Sequence, residues 1–149
     1  MEILPATLRD LVPLRRIEQA CFPKDAWPLI DLLAVLTFPD VIRLKAVEDD
    51  QMVGFIAGDL RRTEGLGWIA TVGILPAYRR RGFGRQLLLA CERQMNTTRF
   101  RLCVRRENTE AIHLYETEGY VITDTWKNYY NDGGDAMVME KFNPTADYV

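Results

Sequence analysis

The chain has 149 residues, 48% hydrophobic and 27% charged, which suits one domain with a substantial core and excludes a disordered polypeptide. Its formal net charge of -2 argues against a general nucleic-acid binder. Cys21, Cys91 and Cys103 are odd in number and far apart, which suggests neither a disulfide framework nor a zinc cluster and fits a reducing cytoplasm; no stretch approaches the roughly 18 apolar residues of a membrane span, so a soluble, unexported protein without membrane partners is expected.

Along the chain, Ile3 to Ala6 reads as a short strand. Asp10 stands where a helix N-cap belongs, ahead of Leu14, Ile17 and Cys21 at helical spacing, with Pro13 tolerated in the first turn. A short helix is expected over Pro28 to Leu36, ending before Pro39. Val41 to Glu48 and Met52 to Arg61 are β-rich runs joined by Asp49, Asp50 and Gln51 as a hairpin, and Trp68 to Leu75 is a third strand.

After a basic, glycine-containing segment at Arg79 to Gly84, residues Leu87, Leu88, Cys91 and Met95 mark a helix with one apolar face. Phe100 to Val104 reads as a strand. Asn108 then caps a helix carrying Ala111, Ile112 and Tyr115 that ends at Gly119. Two strands, Tyr120 to Trp126 and Ala136 to Phe142, flank a loop with Asp132, Gly133 and Gly134. The expected class is α/β (α+β), a single domain over residues 1–142 with a mixed, mostly antiparallel sheet in the order β-α-α-β-β-β-α-β-α-β-β, followed by a loose tail over 143–149.

The segment from Val72 to Leu88 runs from a strand through a basic turn with Gly82 and Gly84 into a helix. The free N–H groups and positive dipole end of such a helix form an anion site suited to phosphate. It is not a dinucleotide fingerprint, because Leu87 takes the place of the third glycine, and it lacks the Gly-Lys-Ser/Thr of a P-loop. On these residues alone, a basic turn whose glycines serve only backbone geometry is the alternative.

The whole segment resembles the coenzyme A motif of the GCN5-related N-acetyltransferase (GNAT) superfamily. The resemblance implies that Arg79, Arg81, Gly82, Phe83, Gly84, Arg85 and Gln86 line the pyrophosphate of acetyl-coenzyme A, and that Val72 and Ile74 lie along its pantetheine arm where the strand splays at a bulge. The stretch from Asn108 to Gly119 is similar to the family's second cofactor segment; Asn108 and Ala111 would meet the pantetheine and Tyr115 would sit at the thioester sulfur. Taken alone, Asn108 is a helix cap and Tyr115 a core aromatic.

Phe22 and Pro23, with Tyr129 and Tyr130 ahead of Asp135 and Ala136, resemble the peptide-binding loops of N-terminal acetyltransferases, nearest to the bacterial ribosomal-protein-alanine group. Packing within the loops is the competing role for these residues. The sequence departs from that group at Cys103, where the bacterial enzymes place a glutamate proposed as base; a thiol with an ordinary pKa near 8.5 is a poor substitute. Tyr78 is expected to assist deprotonation by resemblance to one N-terminal acetyltransferase group, or else to be an exposed turn residue. The lone histidine, His113, is assigned no role.

The resemblance implies an acetyl-coenzyme A-dependent N-acetyltransferase acting by direct attack of an amine, with no metal and with the N-terminus of a protein or peptide as acceptor. A small-amine acetyltransferase and a non-catalytic acyl-coenzyme A sensor are the alternatives. A monomer or homodimer is expected.

Overall fold

The computed structural model describes residues 1–144, so 145–149 of the expected tail lie outside the described residues. Seven strands, β1 (Glu2–Pro5), β2 (Val41–Glu48), β3 (Gln51–Arg61), β4 (Leu66–Ile74), β5 (Arg99–Arg105), β6 (Val121–Trp126) and β7 (Ala136–Phe142), form one sheet in the order β1-β2-β3-β4-β5-β7-β6. Helices α1 (Leu11–Cys21) and α2 (Leu29–Thr37) follow β1, α3 (Phe83–Met95) joins β4 to β5, and α4 (Thr109–Thr117) joins β5 to β6. The observed order of elements matches the expected one. No helix among the described residues is long and apolar enough to cross a membrane.

Two local details differ from expectation. Asp10 precedes α1 but does not cap it: a short 3-10 turn over Leu8–Asp10 comes first, and the carboxylate folds back to accept the Thr7 amide at 2.8 Å and to pair with Lys45 at 2.9 Å. In the β2–β3 hairpin, Asp49 and Asp50 both take positive φ, 53° and 58°. A two-residue turn of this kind matches the twist of the strands, so Gln51 is the first residue of β3 rather than part of the turn.

The period of two along β3 gives the sheet two cores. Phe55 and Ala57 pack with Leu14 and Ile17 of α1 and Leu32 and Leu36 of α2. Ile56 joins the other core with Leu87, Leu88, Cys91 and Met95 of α3 and Tyr115 of α4. Helices α1 and α2 therefore cover one face of the sheet, and α3 and α4 the other.

The feature that makes room for chemistry lies between β4 and β5, which run parallel while the other neighbours are antiparallel. Their ladder holds from Leu66 to Ile69 against Arg99 to Leu102 and then stops, although β4 runs on to Ile74 and β5 to Arg105. On the other edge of β4, Thr71 pairs with Ala57 and Ile69 with Gly58, which leaves Ala70 as an extra residue. Such a bulge bends its strand, and β4 turns away from β5 at this point. The result is a wedge whose facing edges carry backbone N–H and C=O groups with no partner across the gap.

Candidate active site

A cavity of about 380 Å³ occupies the wedge. It is walled by Ile69 to Val72 of β4 and Leu102 to Arg105 of β5, by Glu18, Cys21, Phe22 and Pro23 from the α1 side, and by Asn108, Ala111 and Tyr115 from the α4 side. Because α1 and α4 cover opposite faces, the cavity passes through the sheet. A second cavity of about 440 Å³ shares Asp25, Trp27, Cys103 and Tyr130 with the first and is extended by Trp68, Tyr129 and Asn131. Together they form a slot with an aromatic entrance.

On the α4 side, Asn108 uses its side-chain oxygen to accept the Ala111 amide at 3.2 Å. Capping thus fixes Asn108 and the first turn of α4 at the cavity wall. The Tyr115 ring is buried against Tyr120 at 5.9 Å between centroids. Tyr120 is fixed in turn by donating to buried Glu92 at 2.7 Å, and Lys141 holds the other Glu92 oxygen at 2.9 Å. Burial, reinforced by the charge of Tyr130, raises the Tyr115 pKa above that of an ordinary phenol. The hydroxyl at the cavity wall is therefore a neutral proton donor at physiological pH.

Beyond the end of β4, a 3-10 turn over Pro76–Tyr78 leads through Arg79 to Gly82 into α3. Gly82 has φ 80°, and a Cβ there would meet nothing nearer than the Gln86 side chain at 3.8 Å. Its left-handed backbone, which glycine adopts at no steric cost, points the first amides of α3 outward. Arg79, expected at a pyrophosphate, instead donates through Nε to the Ile74 carbonyl at 2.9 Å. Arg85 pairs with Glu118 at 3.0 Å, and Arg81 lies over the Tyr78 ring at 5.1 Å. Arg79, Arg81 and Arg85 thus each contact neighbouring chain while remaining exposed beside the start of α3. Of the two residues expected along the pantetheine, Val72 lines the cavity, whereas Ile74 is buried below it and its carbonyl is taken by Arg79 and by Cys21 Sγ at 3.3 Å.

On the α1 side, Gly73 lets the end of α1 come close: a Cβ would lie 3.0 Å from Cys21 Sγ and 3.4 Å from Phe22. Phe22 and Pro23 are thereby held at the cavity wall. Arg105 ties this loop to the β6–β7 loop. Its guanidinium grips Asp25 with two donors, one at 2.7 Å, reaches Asp132 at 3.0 Å and lies 4.3 Å over the Tyr130 ring. Tyr129 stacks on Trp126 at 5.6 Å and Trp126 on Trp68 at 6.4 Å, which makes the aromatic entrance.

Cys103 sits where the two cavities meet. Burial pushes its thiol up to about 11, against the opposing charge of Arg101, so it stays protonated and takes no proton at neutral pH. Tyr78, expected to assist deprotonation, uses its hydroxyl to accept from Gln51 at 2.7 Å and to donate to Asp49 at 3.3 Å, at the β2–β3 hairpin. That leaves it outside both cavities.

Sequence reasoning missed Glu18, Asp25 and Arg105. The Asp25–Arg105 pair spans 80 residues and leaves no local trace. Glu18 left one, since it falls on the buried stripe of α1 with Leu14, Ile17 and Cys21, where a carboxylate is out of place.

A splayed parallel strand pair, a helix N-terminus at its end and a buried phenol in the gap define an acyl-transfer site. Residues 11–120 match the acetyltransferase (GNAT) family, and the chain belongs to that family as an N-acetyltransferase. The catalytic subunit NAA10 of the N-terminal acetyltransferase A complex from Arabidopsis thaliana is 29% identical over 143 residues, covering 91% of this chain and 74% of the relative. The solved Ard1 of Thermoplasma volcanium is 27% identical with a TM-score of 0.82, covering 95% of this chain and 97% of its own. The ribosomal-protein-S18-alanine N-acetyltransferase of Escherichia coli shares the fold, with a TM-score of 0.86 at 24% identity over 98% of this chain and 96% of its own.

Proposed function

We propose that the protein moves the acetyl group of acetyl-coenzyme A onto the N-terminal α-amine of a protein or peptide. The observation that carries this reading is the cavity that passes through the sheet, with a buried phenol at one mouth and a loop-walled aromatic slot at the other. The pyrophosphate rests on the amides at Gly82 to Arg85, and the pantetheine runs between Val72 and the Asn108 to Ala111 turn. Unpaired N–H groups of β4 near Val72 polarise the thioester carbonyl. Tyr115 gives its proton to the departing thiolate. The peptide enters between Phe22, Pro23 and the Tyr129–Tyr130 loop.

The acceptor class follows from proton accounting. At pH 7 an α-amine of pKa about 7.7–8.0 is roughly one-tenth neutral, whereas a lysine of pKa about 10.4 is neutral in only about one molecule per few thousand. A site whose Cys103 thiol is held protonated suits the first acceptor and starves the second. Thiol release from acetyl-coenzyme A should be fast with peptides bearing a free N-terminus and at background with the same peptides blocked at that end, even where they contain lysine. Release driven equally by polyamines or free amino acids would overturn the acceptor assignment, and binding without release would favour a sensor.

A further inference from the structure

The geometry assigns Glu18 of α1 as the group that binds the acceptor's α-ammonium and takes its proton, in the absence of a base at Cys103. The residue is 2% exposed and lines the through-sheet cavity. One carboxylate oxygen accepts from the Thr71 hydroxyl at 2.9 Å, while Oε2 is buried without a hydrogen-bond partner among the described residues. A buried, unpaired carboxylate oxygen is costly, and a cationic donor entering the cavity would remove that cost. The α-ammonium is such a donor. This inference rests on the α-amine reading above.

The placement also separates the two proton transfers. Thr71 pairs with Ala57 of β3, which belongs to the core under α1 and α2, so Glu18 reaches the wedge from that face. Tyr115 belongs to the opposite core and reaches it from the other. The acceptor ammonium gives one proton to Glu18 Oε2. Its freed lone pair forms the C–N bond at the thioester carbonyl carbon, whose π electrons move onto oxygen. The intermediate then collapses, the C–S bond breaks, and sulfur takes a proton from Tyr115. The second proton of the amine nitrogen restores Tyr115, and Glu18 releases the first to solvent, so one proton is lost per acetyl transferred.

Burial raises the Glu18 pKa; the Thr71 hydroxyl and the Trp27 amide draw it partly back, the latter without completing a hydrogen bond to Oε2. Other titratable groups also surround the cavity. Cys21 and Cys103 are pushed up by burial, as are Tyr115 and Tyr130. Asp25 is committed to Arg105, and Lys24 and Glu107 lie on exposed chain at the rim. The stability sign follows from the raised pKa: the folded state holds the proton more tightly, so stability is fullest below the ordinary carboxylate range and falls as pH rises through the folded value.

The test uses the full chain, acetyl-coenzyme A and a peptide with a free N-terminal alanine, with kcat/KM followed from pH 6 to 9.5. Glu18→Gln should lower kcat/KM on the order of 10²–10⁴-fold at pH 6.5, and the deficit should shrink above pH 8 as solution supplies neutral amine. Its Tm should exceed the wild type's at pH 8, with the gap closing toward pH 4. Glu18→Asp should keep the wild-type pH dependence at a lower rate. Wild-type transfer with a Glu18→Gln loss below about threefold, or a loss constant across pH, overturns the role of Glu18 alone, and so does a Glu18→Asp profile like that of Glu18→Gln. A wild type inactive on every free α-amine overturns the acceptor reading and this inference with it.

Discussion

The two mouths of the cavity are built by different means. The mouth proposed for the donor, from Val72 through the Gly82 turn to α3 and from Asn108 to Tyr115, is made of short continuous stretches whose geometry is local: a strand end, a left-handed glycine, a helix start, a capped turn. The mouth proposed for the acceptor is assembled from α1, the α1–α2 loop, β5 and the β6–β7 loop, and it is held by contacts such as Arg105 to Asp25 and Thr71 to Glu18 that span 80 and 53 residues. The first can be read along the chain. The second exists only after the sheet has brought distant segments together.

The contrast is sharpest in substitutions that damage one mouth and spare the other. Tyr115→Phe keeps the ring that packs on Tyr120 and removes the donor, so kcat should fall on the order of 10²–10⁴-fold with coenzyme A affinity held; single-turnover kinetics check this. Gly82→Asp places a side chain and a negative charge at the start of α3. Coenzyme A binding should weaken on the order of 10²-fold, since like charges brought together cost several kcal/mol, while calorimetry should show a folded protein whose melting transition is lowered modestly by a non-glycine residue at φ 80°.

Arg105→Met breaks the acceptor mouth instead. It frees Asp25, Asp132 and Tyr130 from their shared cation, and KM for peptide should rise about tenfold or more through loss of positioning, with KM for acetyl-coenzyme A unmoved. The smallest effects belong to the two residues that sequence reasoning weighed for base chemistry. Cys103→Ala and Tyr78→Phe should each change kcat/KM by less than about threefold at pH 7.5, because the first is a protonated thiol and the second hydrogen-bonds to a hairpin. A bell-shaped pH profile that loses its ascending limb in Cys103→Ala would reverse that assignment.

The same division explains what was legible beforehand. Element order was readable because amphipathic spacing at Leu87, Leu88, Cys91 and Met95 and the turn residues Asp49, Asp50 and Gly119 act locally. The glycine turn into α3 and the capped start of α4 were readable for the same reason, whereas the partners of Arg79 and Arg85 were not. Tyr78 misled because sequence spacing places a residue on a turn but does not say which neighbour its hydroxyl meets; Asp49 lies 29 residues away. Glu18 was visible only as a carboxylate on the apolar stripe of α1, and its partner Thr71 lies 53 residues away across the core.

The central claim is that donor and acceptor meet inside the wedge between β4 and β5. A crystal structure of the chain with a coenzyme A–peptide bisubstrate compound, the peptide's α-nitrogen joined to sulfur through an acetyl linker, tests it most directly. The linker should lie between Val72 and Cys103, the pyrophosphate on the amides of Gly82 to Arg85, the peptide between Phe22 and Tyr130, and the α-nitrogen within hydrogen-bond reach of Glu18 Oε2. A linker bound outside the wedge, or a peptide leaving by the Tyr78 side, would contradict it.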